Sequence, residues 1–203
     1  MIATMRKALA VPALFDAYQA AVGANRAKTI FVDEWVRPEP GMRLLDIGCG
    51  TGAVVPFLPA DCELVGIDVS ELYIKAAQRR FGHRGIFLLG DASDPESDFG
   101  EDFDVAYAFG VLHHIPDALA RSLIEGAMRR LKPGGRLVTI DPTLLDTGQG
   151  AVSRFIVSSD RGEHIRTPDE VAALFGSLDI EVDTRQNLLR IPFANVIVTA
   201  TKA

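Results

Sequence analysis

The residues best suited to chemistry in this chain form a glycine-rich loop between two carboxylates. Gly48, Gly50 and Gly52 follow the apolar run "RLLDI", and Asp46 lies two positions before the first glycine. Glycine accepts positive φ and lets a ligand approach the backbone, and the N–H groups of a helix that begins near residues 51–54 would be free to bind it. Asp68 ends the next apolar run, where a carboxylate can bind ribose hydroxyls. The spacing therefore predicts a nucleoside-containing ligand.

Several ligands fit such a loop, and a bare turn is a further alternative. The run "GCGTGA" satisfies G-x-G-x-x-[GA], the fingerprint of dinucleotide-binding loops. A one-domain nicotinamide enzyme of this size would be expected to carry Tyr-x-x-x-Lys, and none of Tyr18, Tyr73 and Tyr107 has Lys four residues later. A separate substrate domain has no room in 203 residues. An adenosyl nucleoside is thus favoured, with an NAD-binding oxidoreductase as the lesser alternative.

The pair His113-His114 follows the apolar run over residues 103–109 and could supply a general base. A histidine within reach of a hydroxyl or amine can remove its proton. Adjacent side chains point in different directions, so we expect only one to face an acceptor, and we favour His113. The alternative is that both pack against or cap the following helix. The four histidines show no H-x-x-x-H spacing, so no metal site is predicted.

A second substrate, which would be the acceptor of any group that the nucleoside ligand carries, could be held by the N-terminal helix and by residues 143–166, a locally basic segment. Arginine there would suit an anionic or carboxylate-bearing acceptor, although such clusters are often solvated or paired with Asp160 and Glu163. The predicted acceptor-side residues are Tyr18, Arg26, His114, Arg154, Arg161 and Arg166.

The elements that must position these residues alternate between strand and helix. Apolar runs predict strands over 43–47, 63–67, 86–89, 103–109 and 136–140, and their nearly continuous hydrophobicity suits a parallel sheet buried on both faces. Helices are predicted over 11–36, over 71–80 with Ser70 as N-cap, and over 117–131, ended by "KPGG". The runs "DIEVDT" and "NVIVTAT" are too close for a crossover helix and should pair antiparallel. The fold class is α/β, with a mostly parallel sheet.

Composition narrows the class of protein further. A chain of 203 residues with 48% hydrophobic and 24% charged residues suits one globular domain. The net charge of −6 argues against a broad nucleic-acid-binding surface. Cys49 and Cys62 form no C-x-x-C, which predicts neither a zinc site nor a disulfide framework and suits the cytoplasm. No apolar run approaches the roughly 20 residues that span a bilayer, so no membrane association is expected.

Five motifs occur in sequence order between residues 42 and 141, namely "LLDIGCGTG", "VGIDVS", "LLGDAS", "FDVAYAFGVLHHI" and "LKPGGRLVTID". Together they resemble the motifs of class I S-adenosylmethionine-dependent methyltransferases. The resemblance implies a Rossmann-like, doubly wound sheet of seven strands in the order 3-2-1-4-5-7-6, with strand 7 antiparallel. Within one domain, we expect a helical cap over 1–40, the cofactor core over 42–141, a substrate-side insertion over 142–170, and a helix and hairpin over 171–203.

The resemblance also implies roles for individual residues. S-adenosylmethionine would lie with its methionine part on Gly48, Cys49, Gly50 and Gly52, and S-adenosylhomocysteine would be the product. Asp46 would accept from the ammonium group, unless it only caps the loop. Asp68 would bind the ribose hydroxyls. The adenine would be contacted by Val69, Asp91 and Ala92. The methionine part and the adenine would both be flanked by Phe109 and Leu112. An ordinary Asp-initiated turn is the alternative for "GDAS".

The predicted reaction is transfer of the methyl group to an O or N atom of a small metabolite by in-line displacement. Asn/Asp-Pro-Pro-Tyr/Phe, which holds a planar amino group in nucleic-acid-methylating relatives, is absent after the fourth predicted strand, where the chain reads "FGVL". This absence and the negative charge favour a small-molecule acceptor and no nucleic acid. A non-catalytic adenosyl-nucleoside binder is the main alternative. The chain is expected to be a monomer or a homodimer.

Overall fold

The computed structural model describes residues 23–160 and 162–203. Its centre is a seven-stranded sheet in the order β3-β2-β1-β4-β5-β7-β6, in which β1 to β5 run parallel and β7 is antiparallel to β5 and β6. The predicted fold is therefore confirmed. The strands are β1 (Arg43–Ile47), β2 (Glu63–Asp68), β3 (Gly85–Leu89), β4 (Phe103–Phe109), β5 (Leu131–Pro142), β6 (Ile180–Arg185) and β7 (Asn195–Thr201).

Five α-helices accompany the sheet in the described residues, and two of them have side-chain N-caps. The backbone N–H of Tyr73 donates to Ser70 Oγ at 3.4 Å, as predicted. Thr167 forms a capping box with Glu170, and Pro168 occupies the first turn, where its missing N–H has no consequence. The helices are α1 (Ala24–Phe31), α2 (Glu71–Phe81), α3 (Asp117–Arg130), α4 (Ala151–Ser158) and α5 (Pro168–Leu174).

The segment after the glycine loop differs from the prediction. Instead of an α-helix beginning near residues 51–54, the chain forms turns and a single 3-10 turn, Val55–Phe57. Pro56 and Pro59 explain the difference. Proline lacks the N–H of the helical ladder, and it disfavours helical conformation in the residue before it.

The described part of the predicted N-terminal helix is α1, which begins at Ala24. Gly23, its N-cap, has φ +87°, a left-handed conformation that glycine adopts readily. The helix ends in a π-helical turn, Val32–Val36, so its predicted end before "RPEPG" is confirmed. Residues 11–22 of the predicted helix lie outside the described residues.

The sheet separates two apolar clusters. One contains Phe103 and Leu112 together with α3 and α5, and the other contains Phe31, Tyr107 and residues of α1 and α2. Residues opposite each other in paired strands face the same cluster. The carboxyl ends of β1, β2, β3 and β4 meet at one edge, where ligands bind in open parallel sheets.

Candidate functional site

A cavity of about 450 Å³ opens at the carboxyl ends of β1 to β4. Its walls are mostly apolar, with a few polar groups, which is the usual character of a small-molecule site. The lining residues are Ile47, Gly48, Gly50, Ile67, Asp68, Val69, Tyr73, Gly90, Asp91, Ala92, Ser93, Phe109, Gly110, Val111, His114, Ile115, Leu119 and Leu123.

The glycine loop is held to the end of β2 by its own backbone. The N–H groups of Gly48 and Cys49 donate to Ile67 O at 2.8 and 3.0 Å. The Gly50 N–H donates to Asp68 Oδ2 at 2.9 Å. Gly50 has φ +55°, and no atom lies within 4 Å of the place a Cβ would occupy. The loop thus presents bare backbone with open space above it.

Asp68 lies on the cavity wall with both carboxylate oxygens partly used. Oδ2 accepts from Gly50 N, and Oδ1 accepts from Ser70 N at 2.8 Å. Partial burial raises the pKa of Asp68, and these two backbone donors oppose that rise. Each carboxylate oxygen can accept a second hydrogen bond. Asp68 can therefore bind a pair of hydroxyls while it also holds the loop.

Asp46 lies on β1 directly before the loop and is buried, with 1% of its surface exposed. Burial is the main cause that raises the pKa of Asp46 to about 7, with Tyr107 lowering it and Asp68 raising it further. Within the described residues, its Oδ2 has no hydrogen-bond partner. An unsatisfied buried acceptor is costly, so this atom is suited to a donor that arrives with a ligand.

The segment after β3 forms the turn that was the alternative for "GDAS". Asp91 Oδ1 accepts from Ser93 N at 2.8 Å and from Ser93 Oγ at 2.7 Å. Asp91 and Ala92 nevertheless line the cavity. The turn and a ligand contact are compatible, because the second oxygen of Asp91 is not used by Ser93.

Besides Asp46, which lies just below the loop, three predicted cofactor residues are not on the cavity wall. Leu112 is fully buried in the cluster beside α3, and Val111 takes its place on the wall. Cys49 is buried against β2, and burial is the main cause that raises the pKa of its thiol. Gly52 packs beneath the Phe81 ring. We conclude that these three shape the loop and the core from behind.

His113 does not have the environment of a general base. Its ring is buried, with Nδ1 2.7 Å from Asp141 Oδ1 and Nε2 3.2 Å from Asp160 Oδ1. Although burial alone would lower the pKa of His113, the two carboxylates raise it to about 9. A histidine that is charged at neutral pH, with both nitrogens engaged, cannot accept a proton. His114 lines the cavity instead.

The described arginines of the acceptor-side prediction do not line the cavity. Arg166 is 7% exposed and donates to Asp117 and to the carbonyls of Leu112, Ile115 and His164. Arg154 donates to a carbonyl within its own segment, and Arg26 donates to the β6–β7 connection. These contacts correct the expectation that Arg166 is available to an anionic acceptor. Tyr18 and Arg161 lie outside the described residues.

Sequence reasoning missed several residues of the cavity wall. Tyr73 could have been found, because a residue in the first turn after an N-cap at a strand end faces that edge of the sheet. Leu119 and Leu123 are spaced i, i+4 and resemble ordinary core positions of α3. The others that were missed are Ile47, Ile67, Gly90, Ser93, Gly110, Val111 and Ile115.

Within residues 23–160 and 162–203, no three His, Cys, Asp or Glu side chains are grouped so as to hold a metal ion. In that same part of the chain, no helix is both long and apolar enough to cross a membrane.

Comparison with known proteins identifies the same region of the chain. Residues 45–137 match a family described as "Methyltransferase domain". A "Ubiquinone biosynthesis O-methyltransferase" from Mesorhizobium japonicum is 29% identical over 170 residues, covering 78% of this chain and 68% of the relative. A "27-O-demethylrifamycin SV methyltransferase" from Amycolatopsis mediterranei is 38% identical over 118 residues, covering 54% and 42%.

A solved structure shows a similar architecture. The pyocyanin biosynthetic protein PhzM superposes with a TM-score of 0.72 at 18% sequence identity, covering 89% of this chain and 55% of that protein. At that identity the likeness concerns the fold alone.

Proposed function

Because this chain is a class I S-adenosylmethionine-dependent methyltransferase, we propose that it transfers a methyl group to an oxygen or nitrogen atom of a small metabolite. The observation that carries the proposal is the cavity at the ends of β1 to β4, where bare glycine backbone and the Asp68 carboxylate meet apolar walls. The chain spans less than half of the length of the relative named for 27-O-demethylrifamycin SV, so the particular acceptor of that relative is not carried over to this chain.

The residues present fit S-adenosylmethionine. When bound, it supplies a methyl group already activated by the positive charge on sulfur. Asp46 offers an unpartnered buried oxygen for an ammonium group, and Gly50 leaves room above its backbone. Asp68 would bind the ribose hydroxyls, while Val69, Asp91 and Ala92 would bound the adenine. The apolar walls limit the access of water to the reacting atoms.

We propose His114 as the group that removes the acceptor's proton. It is the only histidine on the wall of the cavity, whereas His113 is held between two carboxylates. A neutral imidazole near a hydroxyl or amine can accept its proton as the new bond forms. Removing this proton would leave a neutral methylated product.

Oxygen is the favoured acceptor atom. Both curated relatives carry O-methylation in their names. The internal contacts of Arg154 and Arg166 lend no support to an anionic acceptor. We further propose that the acceptor is a metabolite and not a nucleic acid, because the net charge of −6 disfavours binding to phosphate backbones. We also propose that the protein acts in the cytoplasm, as a monomer or a homodimer.

Two measurements test the proposal. Calorimetric titration should show that S-adenosylhomocysteine binds with a 1:1 stoichiometry and that NAD does not. Transfer of labelled methyl from S-adenosylmethionine to a panel of phenols, alcohols and amines should then identify an acceptor. NAD binding without S-adenosylhomocysteine binding would contradict the family role. Binding of S-adenosylhomocysteine with no transfer to any metabolite of a cell extract would indicate the non-catalytic binder.

A further inference from the structure

Asp46 and Tyr107 form a buried polar pair on adjacent strands. Asp46 of β1 lies opposite Tyr107 of β4 in the parallel register, so both side chains occupy the same face of the sheet. Tyr107 is fully buried. Within the described residues, Tyr107 Oη and Asp46 Oδ2 each lack a hydrogen bond of normal geometry. Two unsatisfied polar atoms on one face are unusual in a packed core.

This face leads directly to the cavity. Phe109 follows Tyr107 by two residues on β4, shares its face and lines the cavity. On the β1 side, the residues that follow Asp46 are Ile47 and Gly48, which also line it. A ligand at the glycine loop therefore lies next to the buried pair.

Among the described residues, the other titratable groups on this side of the sheet include Cys62, which is buried in the same cluster as Tyr107. Asp68 ends β2, and Cys49 of the glycine loop is buried against Gly66, the β2 neighbour of Asp46. From α1, Lys28 is buried with Nζ 5.9 Å from the centroid of the Phe109 ring. Tyr107 is the neutral donor among these groups that lies opposite Asp46 in the strand register.

We propose that Tyr107 is a positioning residue that acts through Asp46, its hydroxyl supporting the carboxylate so that Oδ2 receives the ammonium group of the methionine portion. This inference rests on the proposed function, because it requires a ligand with that group. A tyrosine hydroxyl donates one hydrogen bond, and a carboxylate accepts several, so the carboxylate can bind both donors at once.

The proposal predicts a specific pH dependence. Burial raises the pKa of Asp46 to about 7, and Tyr107 opposes that rise. A ligand with an ammonium group binds the ionised form of Asp46 more tightly than the protonated form. Below pH 7 the Asp46 carboxyl must therefore lose its proton when the ligand binds, and the affinity falls about tenfold for each unit by which the pH decreases. The midpoint of this pH dependence is the pH at which half of the Asp46 carboxyl groups in the free protein are ionised. Without the Tyr107 hydroxyl, this midpoint should rise by about 0.5 to 1 pH unit, the equivalent of one lost hydrogen bond.

The experiment is a calorimetric titration of S-adenosylhomocysteine from pH 5.5 to 9 into the wild type, Tyr107→Phe and Tyr73→Phe. Tyr107→Phe should weaken binding about 2- to 5-fold at pH 7 and leave it near the wild-type value at pH 9. Tyr73→Phe, the same change at the cavity wall, should leave the midpoint unmoved. The ligand 5′-methylthioadenosine, which lacks the ammonium group, should show no such pH dependence.

The outcomes separate the two claims. Unchanged midpoints in Tyr107→Phe, with normal binding of S-adenosylhomocysteine, would overturn the role of Tyr107 alone. No binding of S-adenosylhomocysteine by the wild type at any pH would overturn the proposed function itself. Asp46→Asn provides a second variant, and its binding should lose the transition near pH 7 altogether. Persistence of that transition in Asp46→Asn would also overturn the inference.

Discussion

The carboxylate of Asp68 accepts a hydrogen bond from the glycine loop and also lines the cavity. Asp68→Ala should weaken S-adenosylhomocysteine binding by about 1.5–3 kcal/mol, the range for hydrogen bonds to a charged group. Asp68→Asn keeps one acceptor oxygen and should lose less. Calorimetry measures both. Asp94→Ala is the matched control, because Asp94 also closes a turn, accepting from Glu96 N at 2.9 Å, but lies off the cavity wall. Unchanged affinity in Asp68→Ala would remove Asp68 from ribose binding.

Asp46 should contribute to ligand binding, but ionisation of its buried carboxyl should lower the stability of the ligand-free protein. Its pKa rises from 3.8 to about 7 on folding, so between these pH values the folded state binds more protons than the unfolded state. Stability from this group therefore falls as pH rises through that window. Asp46→Asn has no such titration, so its Tm relative to wild type should be higher at pH 8 than at pH 5. Each kcal/mol corresponds to about 2–4 °C. An equal Tm difference at both pH values would contradict the argument.

The segment between β5 and α5 is joined to the β4–α3 connection by ion pairs of His113 and Arg166, whose side chains are both buried. His113 contacts Asp141 at the end of β5 and Asp160 after α4. Gly162 lies against the same ring, where a Cβ would come within 2.1 Å of His113 Cδ2. Arg166 adds an ion pair with Asp117 at the start of α3. These contacts fix the connection that carries His114.

The His113 contacts should make stability depend on alkaline pH. The two carboxylates raise the pKa of His113 from 6.5 to about 9 in the folded state. The stabilisation is fully present below pH 6.5 and is lost as pH rises through 9. His113→Asn leaves the buried carboxylate of Asp141 and the half-buried carboxylate of Asp160 without their cation, and it should lower the free energy of unfolding at pH 7 by about 3 kcal/mol.

Urea unfolding at pH 7 and pH 10 measures this effect. The difference between wild type and His113→Asn should be smaller at pH 10, where the wild-type imidazole is neutral. His83→Asn, the same change at an exposed histidine, should stay within about 0.5 kcal/mol of wild type at both pH values. A constant difference between wild type and His113→Asn at both pH values would show that charge plays no part.

Strands and helix ends could be predicted where a short stretch of sequence determines them. The strands over 43–47 and 103–109 and the Ser70 cap follow from apolar runs and one hydroxyl, and the structure places them as predicted. The helix expected after the glycine loop does not form, because the prediction from the glycine spacing took no account of Pro56 and Pro59, which follow. The interpretation of His113 failed for another reason. Its partners, Asp141 and Asp160, are distant in sequence, and nothing in "LHHI" indicates them.

The sheet joins the two apolar clusters and the cavity into one folded unit. Strand order came from the resemblance, since apolar runs alone cannot specify which strands are neighbours. The antiparallel pairing of β6 and β7 came from their short connection. The cavity could be located in advance, because glycine loop, Asp68 and Asp91 all end parallel strands at one edge. The acceptor side could not, because its predicted residues depend on long-range contacts that the sequence does not display.

Leu137 tests whether the core and the cavity unfold together. It is fully buried on β5, within the cluster beside α3, and does not line the cavity. Leu137→Ala should lower the free energy of unfolding by about 2–5 kcal/mol, from lost burial and the space left behind. Leu89→Ala, at an exposed leucine of β3, should change it by less than about 0.5 kcal/mol.

Thermal unfolding with S-adenosylhomocysteine at 100 times its Kd completes this test. The ligand should stabilise wild type and Leu137→Ala by the same amount, about 2.7 kcal/mol, because both keep the same cavity wall and unfold in one transition. Two separate transitions in Leu137→Ala, only one of them responding to the ligand, would show that the sheet does not unfold as a unit. A single transition with equal ligand stabilisation would show that a core residue of β5 and the ligand site share one cooperative structure.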